Sequence, residues 1–419
     1  MISYDQALER LLARARRLPA ESRTPVDALG CVLARDVVSP IDLPSFNHAA
    51  MDGYALRARE PLAAGSEHAV VGSQAAGDAA PASSGNACEI MTGARLPADL
   101  DAVVAVERTQ LLARGDDGMP ARIRLLDALA VGDNVRYAGS DVARGAVVAV
   151  AGTRIDPAHV MLLAALGVTS VEVVRRPRVA IIGTGKELLA DPTRPLADEQ
   201  IHSSNGPYLM AALAASSVQV LSCETLDDTA SHYRDAVLRA RDAGADLIVS
   251  TGAVSMGRHD FVPDALQALG AELLFHQVAM RPGKPVLAAM LGDDTLVLAL
   301  PGTPMAVAVG FRFFVAPVLR AWAGQGSEVV LHAVLDTPQQ PKPGLRHFLR
   351  ARLSQGRDGR LHASLLKLQQ PFRIQPFAEA DAWVVLGEGA GDCLPGMLVE
   401  IVSLHPGVPL RIGTSGDSN

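Results

Sequence analysis

Residues 246–285, DLIVSTGAVSMGRHDFVPDALQALGAELLFHQVAMRPGKP, carry more information about the fold than any other stretch of this 419-residue chain. Residues 246–250 read as a short buried strand. It runs into a loop of small and hydroxyl residues (Thr251, Gly252, Ala253, Ser255, Gly257) where backbone N–H groups can face a ligand. The loop delivers an acid, Asp260. After an amphipathic stretch over 261–269 and a second apolar run comes Arg281-Pro-Gly-Lys284-Pro285, two cations on a stiff turn. Glycine loop, carboxylate and paired cations in this order describe a site for a phosphate-bearing anion together with a divalent metal.

Working outward, the same grammar begins at Pro177. An apolar strand over 179–182 closes on Gly183-Thr184-Gly185. A helix over 205–215, a strand over 218–221 and a helix over 230–243 precede the 246–250 strand; a helix over 262–269, strands over 273–279 and 295–300 and a helix over 304–322 follow it. Such alternation means a mostly parallel sheet with helices on both faces, whose ligands bind at the carboxyl ends of the strands. Both glycine loops and Pro301-Gly302-Thr303-Pro304 occupy that position. One exposed helix terminus contributes only about 0.3–1 kcal/mol towards an anion, so a polyphosphate ligand needs several loop amides plus cations or a metal. Asp227-Asp228, Glu187, Asp260, Arg281 and Lys284 supply these near strand ends, and clustered carboxylates with a phosphate imply Mg²⁺. Asp227-Asp228 also fits a plainer role, opening the helix after Thr229. His259 and His276 lack the spacing of a metal pair.

The remainder is organised differently. Ser3-Tyr-Asp-Gln6 has the spacing of a helix capping box, with Leu8, Leu11, Leu12 and Ala15 on one face and the Arg14–Arg17 run on the solvated side. A strand over 31–38 ends at Pro40, short apolar runs broken by Gly, Pro and Asp fill residues 41–136, and a strand over 145–151 and a helix over 157–166 follow. After Gly326 short β runs return at 329–335, 346–353, 382–386 and 397–402. The expected fold is therefore multidomain α/β plus β. Domain I takes 1–40 with 141–176, an inserted β-rich domain II takes 41–140, the α/β domain III takes 177–326, and a C-terminal β domain IV takes 327–412 before a polar tail. Domain II holds three loops with chemical content: Asn47 to Tyr54 around Asp52, Met91 to Pro97 with Thr92, and Asn134-Val-Arg136 with Gly139 and Asp141. The Arg136 guanidinium suits bidentate phosphate binding, whereas each of these loops also reads as an ordinary turn.

Composition narrows the class. A chain 49% apolar and 20% charged folds into globular cores, and its net charge of −7 argues against a nucleic-acid or membrane-surface partner. Cys31, Cys88, Cys223 and Cys393 lie far apart without zinc spacing, which predicts buried reduced thiols. No signal peptide and no bilayer-spanning run is read, so a soluble, cytoplasmic protein is expected.

Taken in order, the strings AAMDGYAL, MTGARLPADLDAVVAVE, NVRYAGSD, IIGTGKEL, Asp227-Asp228, STGAVSMGRHDF, MRPGKP and LPGTP resemble the molybdopterin molybdenumtransferase family, which includes bacterial MoeA and the gephyrin E domain. The resemblance covers nearly the whole chain. It implies an elongated four-domain protein with a central doubly wound, molybdopterin-binding α/β domain and a small C-terminal β-barrel-like domain. It also implies a homodimer with its active cleft between subunits. The implied reaction takes adenylylated molybdopterin and molybdate, with Mg²⁺, to molybdenum cofactor and AMP. Molybdopterin adenylyltransferase and apo-molybdoenzymes are the implied partners. By the same resemblance Asp52, Thr92, Glu187, Asp228, Asp260 and Lys284 are catalytic, with Asp228 and Asp260 on the metal. Arg136, Asp141, Gly183, Thr184, Gly185, Thr251, Gly252, Ser255, Gly257, Arg281, Gly283, Pro301 and Gly302 bind the cofactor. The chain departs from the family pattern at Lys186, Ala253, Arg281, Thr303 and Ala306, and shows no Ser-rich turn around 371–377. These departures leave a second reading open, a paralogue that binds pterin or nucleotide as a carrier or regulator without inserting metal. A gephyrin-like scaffold and a nucleotide hydrolase sharing only the α/β fold are disfavoured: no interaction linker is present, and the MDGYA and NVR elements match too.

Overall fold

The computed structural model describes residues 1–79, 86–255 and 260–413 and divides into two compact units, one of Met1–Glu21, Gly30–Ala34 and the chain from Val173 onward, the other of Ser22–Leu29 and Arg35–Glu172. The first unit opens with helix α1 (Tyr4–Leu12). Its capping box forms as expected: Gln6 N–H donates to Ser3 Oγ at 3.2 Å and Ser3 N–H to Gln6 Oε1 at 3.1 Å. The buried stripe is Tyr4, Ala7 and Leu11, with Leu8 only partly covered. The arginine run lies beyond the helix end rather than on it, where Arg14 pairs with Glu272 at 2.5 Å and Arg17 caps the Leu33 and Ala34 carbonyls. The expected strand over 31–38 shrinks to an isolated bridge at Leu33 and the pair Val37–Val38, because the chain passes from one unit to the other between Ala34 and Arg35.

The second unit is β-rich. Strands β1 (Gly53–Leu56), β2 (Glu67–Gln74), β3 (Ala87–Ile90), β4 (Ala102–Ala105), β5 (Thr109–Arg114) and β6 (Pro120–Leu125) form one sheet in the order β4-β1-β3-β2-β6-β5. Tyr54, Leu56, Val104, Ile123 and Leu125 pack on one face and Ala55, Cys88, Ile90 and Val103 on the other. Helix α2 (Pro157–Ala165) starts at Asp156, which caps His159 N–H at 2.9 Å.

In the first unit β7 (Arg178–Thr184), helix α3 (Asn205–Ala214), β8 (Gln219–Leu226), α4 (Ala230–Asp242), β9 (Leu247–Thr251) and α5 (Val262–Ala268) alternate as read. Then come β10 (Glu272–His276), β11 (Met280–Arg281), β12 (Leu287–Leu291), β13 (Thr295–Leu300), and α6 (Pro304–Gly310) running through a π-turn into α7 (Ala316–Trp322). The sheet order is β8-β7-β9-β13-β12-β10; its first four strands are parallel, and β12 runs antiparallel to both β13 and β10. Strand β12 escaped the sequence reading because its uniformly apolar residues show no alternation. Successive residues of each strand bury to opposite faces. Ile181, Val249 and Leu298 join α3, α6 and α7, whereas Ile182, Ile248 and Val297 join α4 and α5. All four cysteines are free thiols, and Cys31, Cys88 and Cys393 are buried as expected, whereas Cys223 on the outer strand β8 is exposed.

Strands β14 (Leu331–Leu335), β15 (Arg346–Gln355), β16 (Leu361–Leu365), β17 (Ala382–Leu386) and β18 (Leu398–Ser403) close into a barrel in the order β15-β16-β14-β18-β17, with β17 returning to β15. Strand β11 adds to its edge, pairing Met280 with Arg346 and Arg281 with His347. One correction concerns Pro304–Trp322, which is long and apolar enough to cross a membrane, with mean hydropathy 1.5, and is 83% buried within the protein. It is the central core helix.

The α/β sheet is clamped at its amino end by Asp246. Its carboxylate takes both Arg175 guanidinium nitrogens, at 2.8 and 3.0 Å, and the Arg178 N–H at 2.7 Å, fixing β7 against β9. Asp246→Ala should cost about 2–3 kcal/mol in urea unfolding; an unchanged midpoint would show that the clamp contributes nothing.

Candidate functional site

The carboxyl edge of the sheet gathers the chemistry in the first unit. Strands β8, β7, β9 and β13 lie side by side in parallel register, so Asp227-Asp228, Gly185-Lys186-Glu187, Gly252 and Pro301-Gly302 emerge next to one another. Cross-strand bonds tie these ends: Gly185 N–H donates to Leu226 O at 3.0 Å, Gly252 N–H to Leu300 O at 3.0 Å, and Thr184 Oγ1 to Thr251 O at 3.2 Å. Gly183, Thr184 and Thr251 are buried in the strands, so they hold the edge together from within.

Gly252 is sterically required, and Gly185 is favoured by its positive φ. A Cβ on Gly252 (φ +96°) would stand 2.5 Å from the Thr184 carbonyl oxygen, and one on Gly185 (φ +154°) 2.7 Å from the Glu187 carboxylate. Glu187 therefore folds over the Gly185 backbone. Gly302 lies beside Gly252 in ordinary van der Waals contact, since its Cβ would stand 3.6 Å from Gly252 Cα. Ala253 has φ +49°, a left-handed conformation that is strained for a residue with a Cβ. Its carbonyl accepts the Val262 N–H at 3.1 Å, which seats helix α5.

The acids divide. Asp227 is engaged, its Oδ1 2.8 Å from His232 Nδ1 and bonded to Thr229 N–H, and the His232 contact is the main cause of its lowered pKa. This is the helix-opening role. Asp228 stays exposed, with the Lys186 N–H 3.4 Å from its Oδ2. Asp260 is partly buried at the far end of the loop, Ser255 is exposed at its near end, and Gly257 and His259 lie outside the described residues.

Strand β12 starts where β13 ends, Leu287 pairing with Ala299, so the 281–286 turn belongs to the same edge. Gly283 is favoured there by its φ of +103°, which strains any residue with a Cβ, and a Cβ would also displace the tip of the Met280 side chain. Arg281 and Lys284 are exposed beside it. Arg281 lines a cavity of about 300 Å³ with Lys342, His347, Gln369, Gln370 and Pro371. His347 Nε2 lies 3.0 Å from Lys342 N and 3.3 Å from Lys342 O; burial lowers its pKa, the Lys342 carbonyl opposes this, and the Arg281 charge lowers it further. The ring is neutral and the two cations dominate the cavity. Arg350, fully buried, holds the facing loop by donating to Arg373 O at 2.6 Å and Leu368 O at 2.8 Å, while Gln369 returns a bond to Arg350 O at 2.8 Å.

The sequence reading missed several residues here. Asn205, first in α3, donates to Gly302 O at 2.8 Å, and its Oδ1 is buried without a partner. His276, doubted as a metal ligand, has Nε2 2.9 Å from Val254 O and so steadies the glycine loop. An Asn opening a helix after a strand was a usable signal; nothing in spacing pointed to His276, Lys342 or His347.

In the second unit Asp52 Oδ1 accepts from both Thr92 N–H and Thr92 Oγ1–H, each at 2.7 Å, so these two candidate residues form one element. The backbone bond, then the hydroxyl, lowers the Asp52 pKa. Gly53 next to it admits no side chain, its Cβ falling 1.8 Å from Val104 O. Arg136 pairs through its backbone with His48, and its side chain is exposed, as is Asp141.

A parallel α/β edge of glycine loops, carboxylates and flanking cations defines a protein that binds a phosphorylated ligand at its strand ends. The chain matches the MoeA N-terminal region (domain I and II) over residues 2–167, the probable molybdopterin binding domain over 180–321 and the MoeA C-terminal region (domain IV) over 332–404. It is 33% identical to the molybdopterin molybdenumtransferase of Synechococcus elongatus over 96% of this chain and 100% of that one. With the Bacillus subtilis protein of the same name it shares 33% identity over 96% and 94%. A solved molybdopterin biosynthesis MoeA protein from Pyrococcus horikoshii superposes with a TM-score of 0.77 at 27% identity, covering 96% of this chain and 99% of that one. The chain belongs to the molybdopterin molybdenumtransferase family.

Two measurements check this geometry. Gly252→Ala should lose more than about 2 kcal/mol in urea unfolding, since it adds both strain and a backbone clash, whereas Ala253→Gly should lose nothing. Equal losses would contradict the contact assigned to Gly252. For Asp52, a carboxylate of depressed pKa, the Thr92 contact stabilises above the ordinary aspartate range and is lost as pH falls through the lowered pKa. Thr92→Ala removes only the hydroxyl bond, so the Asp52 carboxyl resonance should titrate at higher pH in NMR; an unmoved titration refutes the hydroxyl's share.

Proposed function

We propose that the chain transfers molybdenum to adenylylated molybdopterin, releasing AMP and molybdenum cofactor. The carrying observation is the single edge where glycine-loop amides, Asp228 and the Arg281–Lys284 turn emerge from adjoining elements. Loop amides near Gly185, Gly252 and Gly302 hold phosphate oxygens, and Lys284 and Lys186 offset their charge. The cavity of Arg281 and Lys342 accepts molybdate, a tetrahedral dianion suited to two cations and the Gln369–Gln370 amides.

Among the described residues no three His, Cys, Asp or Glu side chains converge into a metal cage. Mg²⁺ needs none, since one or two carboxylates with phosphate oxygens and water complete its octahedron. Asp228, with Asp260 and Glu187, fits that oxygen-only donor set. Bound there, Mg²⁺ supplies charge neutralisation on the phosphoanhydride. The dithiolene and molybdate bring the remaining reactive groups, so the edge needs to bind and orient rather than to provide a nucleophile.

We further propose the four-domain division of 1–40 with 141–176, 41–140, 177–326 and 327–412. The functional form is a cytoplasmic homodimer with its cleft between subunits, to which Asp52, Thr92, Arg136 and Asp141 contribute. Molybdopterin adenylyltransferase delivers the substrate and apo-molybdoenzymes take the product.

The test combines purified protein, adenylylated molybdopterin, Mg²⁺ and molybdate, following AMP release and reconstitution of an apo-molybdoenzyme. Asp228→Ala and Asp260→Ala should each lower AMP release about 10²-fold. Arg281→Ala should raise the molybdate needed for half-maximal reconstitution about tenfold. Absence of AMP above background sinks the proposal. AMP release without reconstitution would remove its molybdate half.

A further inference from the structure

Helix α3 begins at the strand edge with Asn205, and its later turns line a separate cavity of about 340 Å³. Ala211, Ala212 and Ala215 form one side of it. Three rings meet on another side: Tyr208 lies 5.8 Å from Phe377 and 6.2 Å from His405 between centroids, and Phe377 lies 6.2 Å from His405. The floor is thus small and apolar, open enough for a single or fused aromatic ring.

Two polar atoms on side chains lining this cavity, Tyr208 Oη and His405 Nδ1, are buried with no hydrogen-bond partner. Neither atom is reached by solvent, so both lie within the cavity wall and not on its open surface. The sign of the local field is set by cations. Arg411, exposed at the lining, makes no ion pair among the described residues. Burial, then the Arg411 and Arg312 charges, lower the His405 pKa, which leaves the ring neutral in a positive surrounding. The one carboxylate in the lining, Asp381, is engaged by the Leu353 N–H at 3.1 Å.

We propose that this cavity binds a small aromatic carboxylate, its ring against the α3 alanines and the Tyr208–Phe377 pair and its carboxylate towards Arg411. An occupant would touch the helix that carries Asn205 to Gly302, which gives such a ligand a route to the strand edge. The inference is independent of the transfer reaction, because binding is measured without pterin.

Calorimetric titration of the full chain with benzoate and indole-3-carboxylate tests it, with benzyl alcohol as the uncharged probe. Both acids should bind with Kd below about 1 mM, and benzyl alcohol about tenfold more weakly. Arg411→Gln should weaken benzoate about tenfold. Ala211→Phe, a change at a solvent-exposed helix position that fills the cavity, should abolish binding while the urea midpoint holds. No saturable binding of either acid overturns the proposal. So does benzyl alcohol binding as well as benzoate, or full-strength benzoate binding by Arg411→Gln.

Discussion

The close approach of Gly252 to Thr184 is the constraint on which the rest of the edge depends. With no Cβ, the backbone after β9 passes against the end of β7, and Gly302 packs beside Gly252 at ordinary contact distance. Three parallel strands can then end in register with their loop amides adjacent, held by Gly252 N–H to Leu300 O and Thr184 Oγ1 to Thr251 O. A methyl group at Gly252 would meet the Thr184 carbonyl and push the two loops apart, scattering the amides that a polyanion requires. The Asp246 clamp at the opposite end of β9 serves the same register from below.

The central sheet was legible because its strands are continuous apolar runs separated by amphipathic helices, and because glycine punctuates each strand end. Strand β12 was not, since an apolar run three residues before another gives no sign of whether the chain turns back or crosses over. The barrel strand β16 was missed for a related reason: Leu361–Leu365 carries His and Ser, and its partners lie on both sides in the fold, β15 and β14. At 31–38 a strand-like string was overruled by its place in the chain. Propensity describes a residue's neighbours, and here the neighbours belong to two different units.

The site divided along similar lines. Residues that act through their own backbone, such as Gly185, Gly252 and Gly283, announce themselves, because their positive φ favours glycine. Asp227 and Asp228 look identical in the sequence, and the fold separates them by giving His232 and Thr229 to the first. Lys342, His347 and Gln369 come from the barrel. They reach the Arg281 turn because β11 pairs with β15, a contact 66 or more residues apart that no local pattern encodes.

That pairing also bears on the departures near residue 371. A serine-rich turn there could have offered hydroxyls to an oxyanion; this chain offers instead a loop held by Arg350, whose guanidinium is spent on the carbonyls of Leu368 and Arg373. Because those bonds are internal, Arg350 fixes the shape of the cavity wall and leaves Arg281 and Lys342 as its charges. Pro371 O in turn accepts the Met305 N–H at 3.0 Å, so the loop is anchored to the start of α6 as well. The loop is thus tied by main-chain bonds to the barrel, through Leu366 N–H to Arg350 O, and to the start of α6. A change of side chain at 371–377 alters what the cavity presents while its frame stays in place.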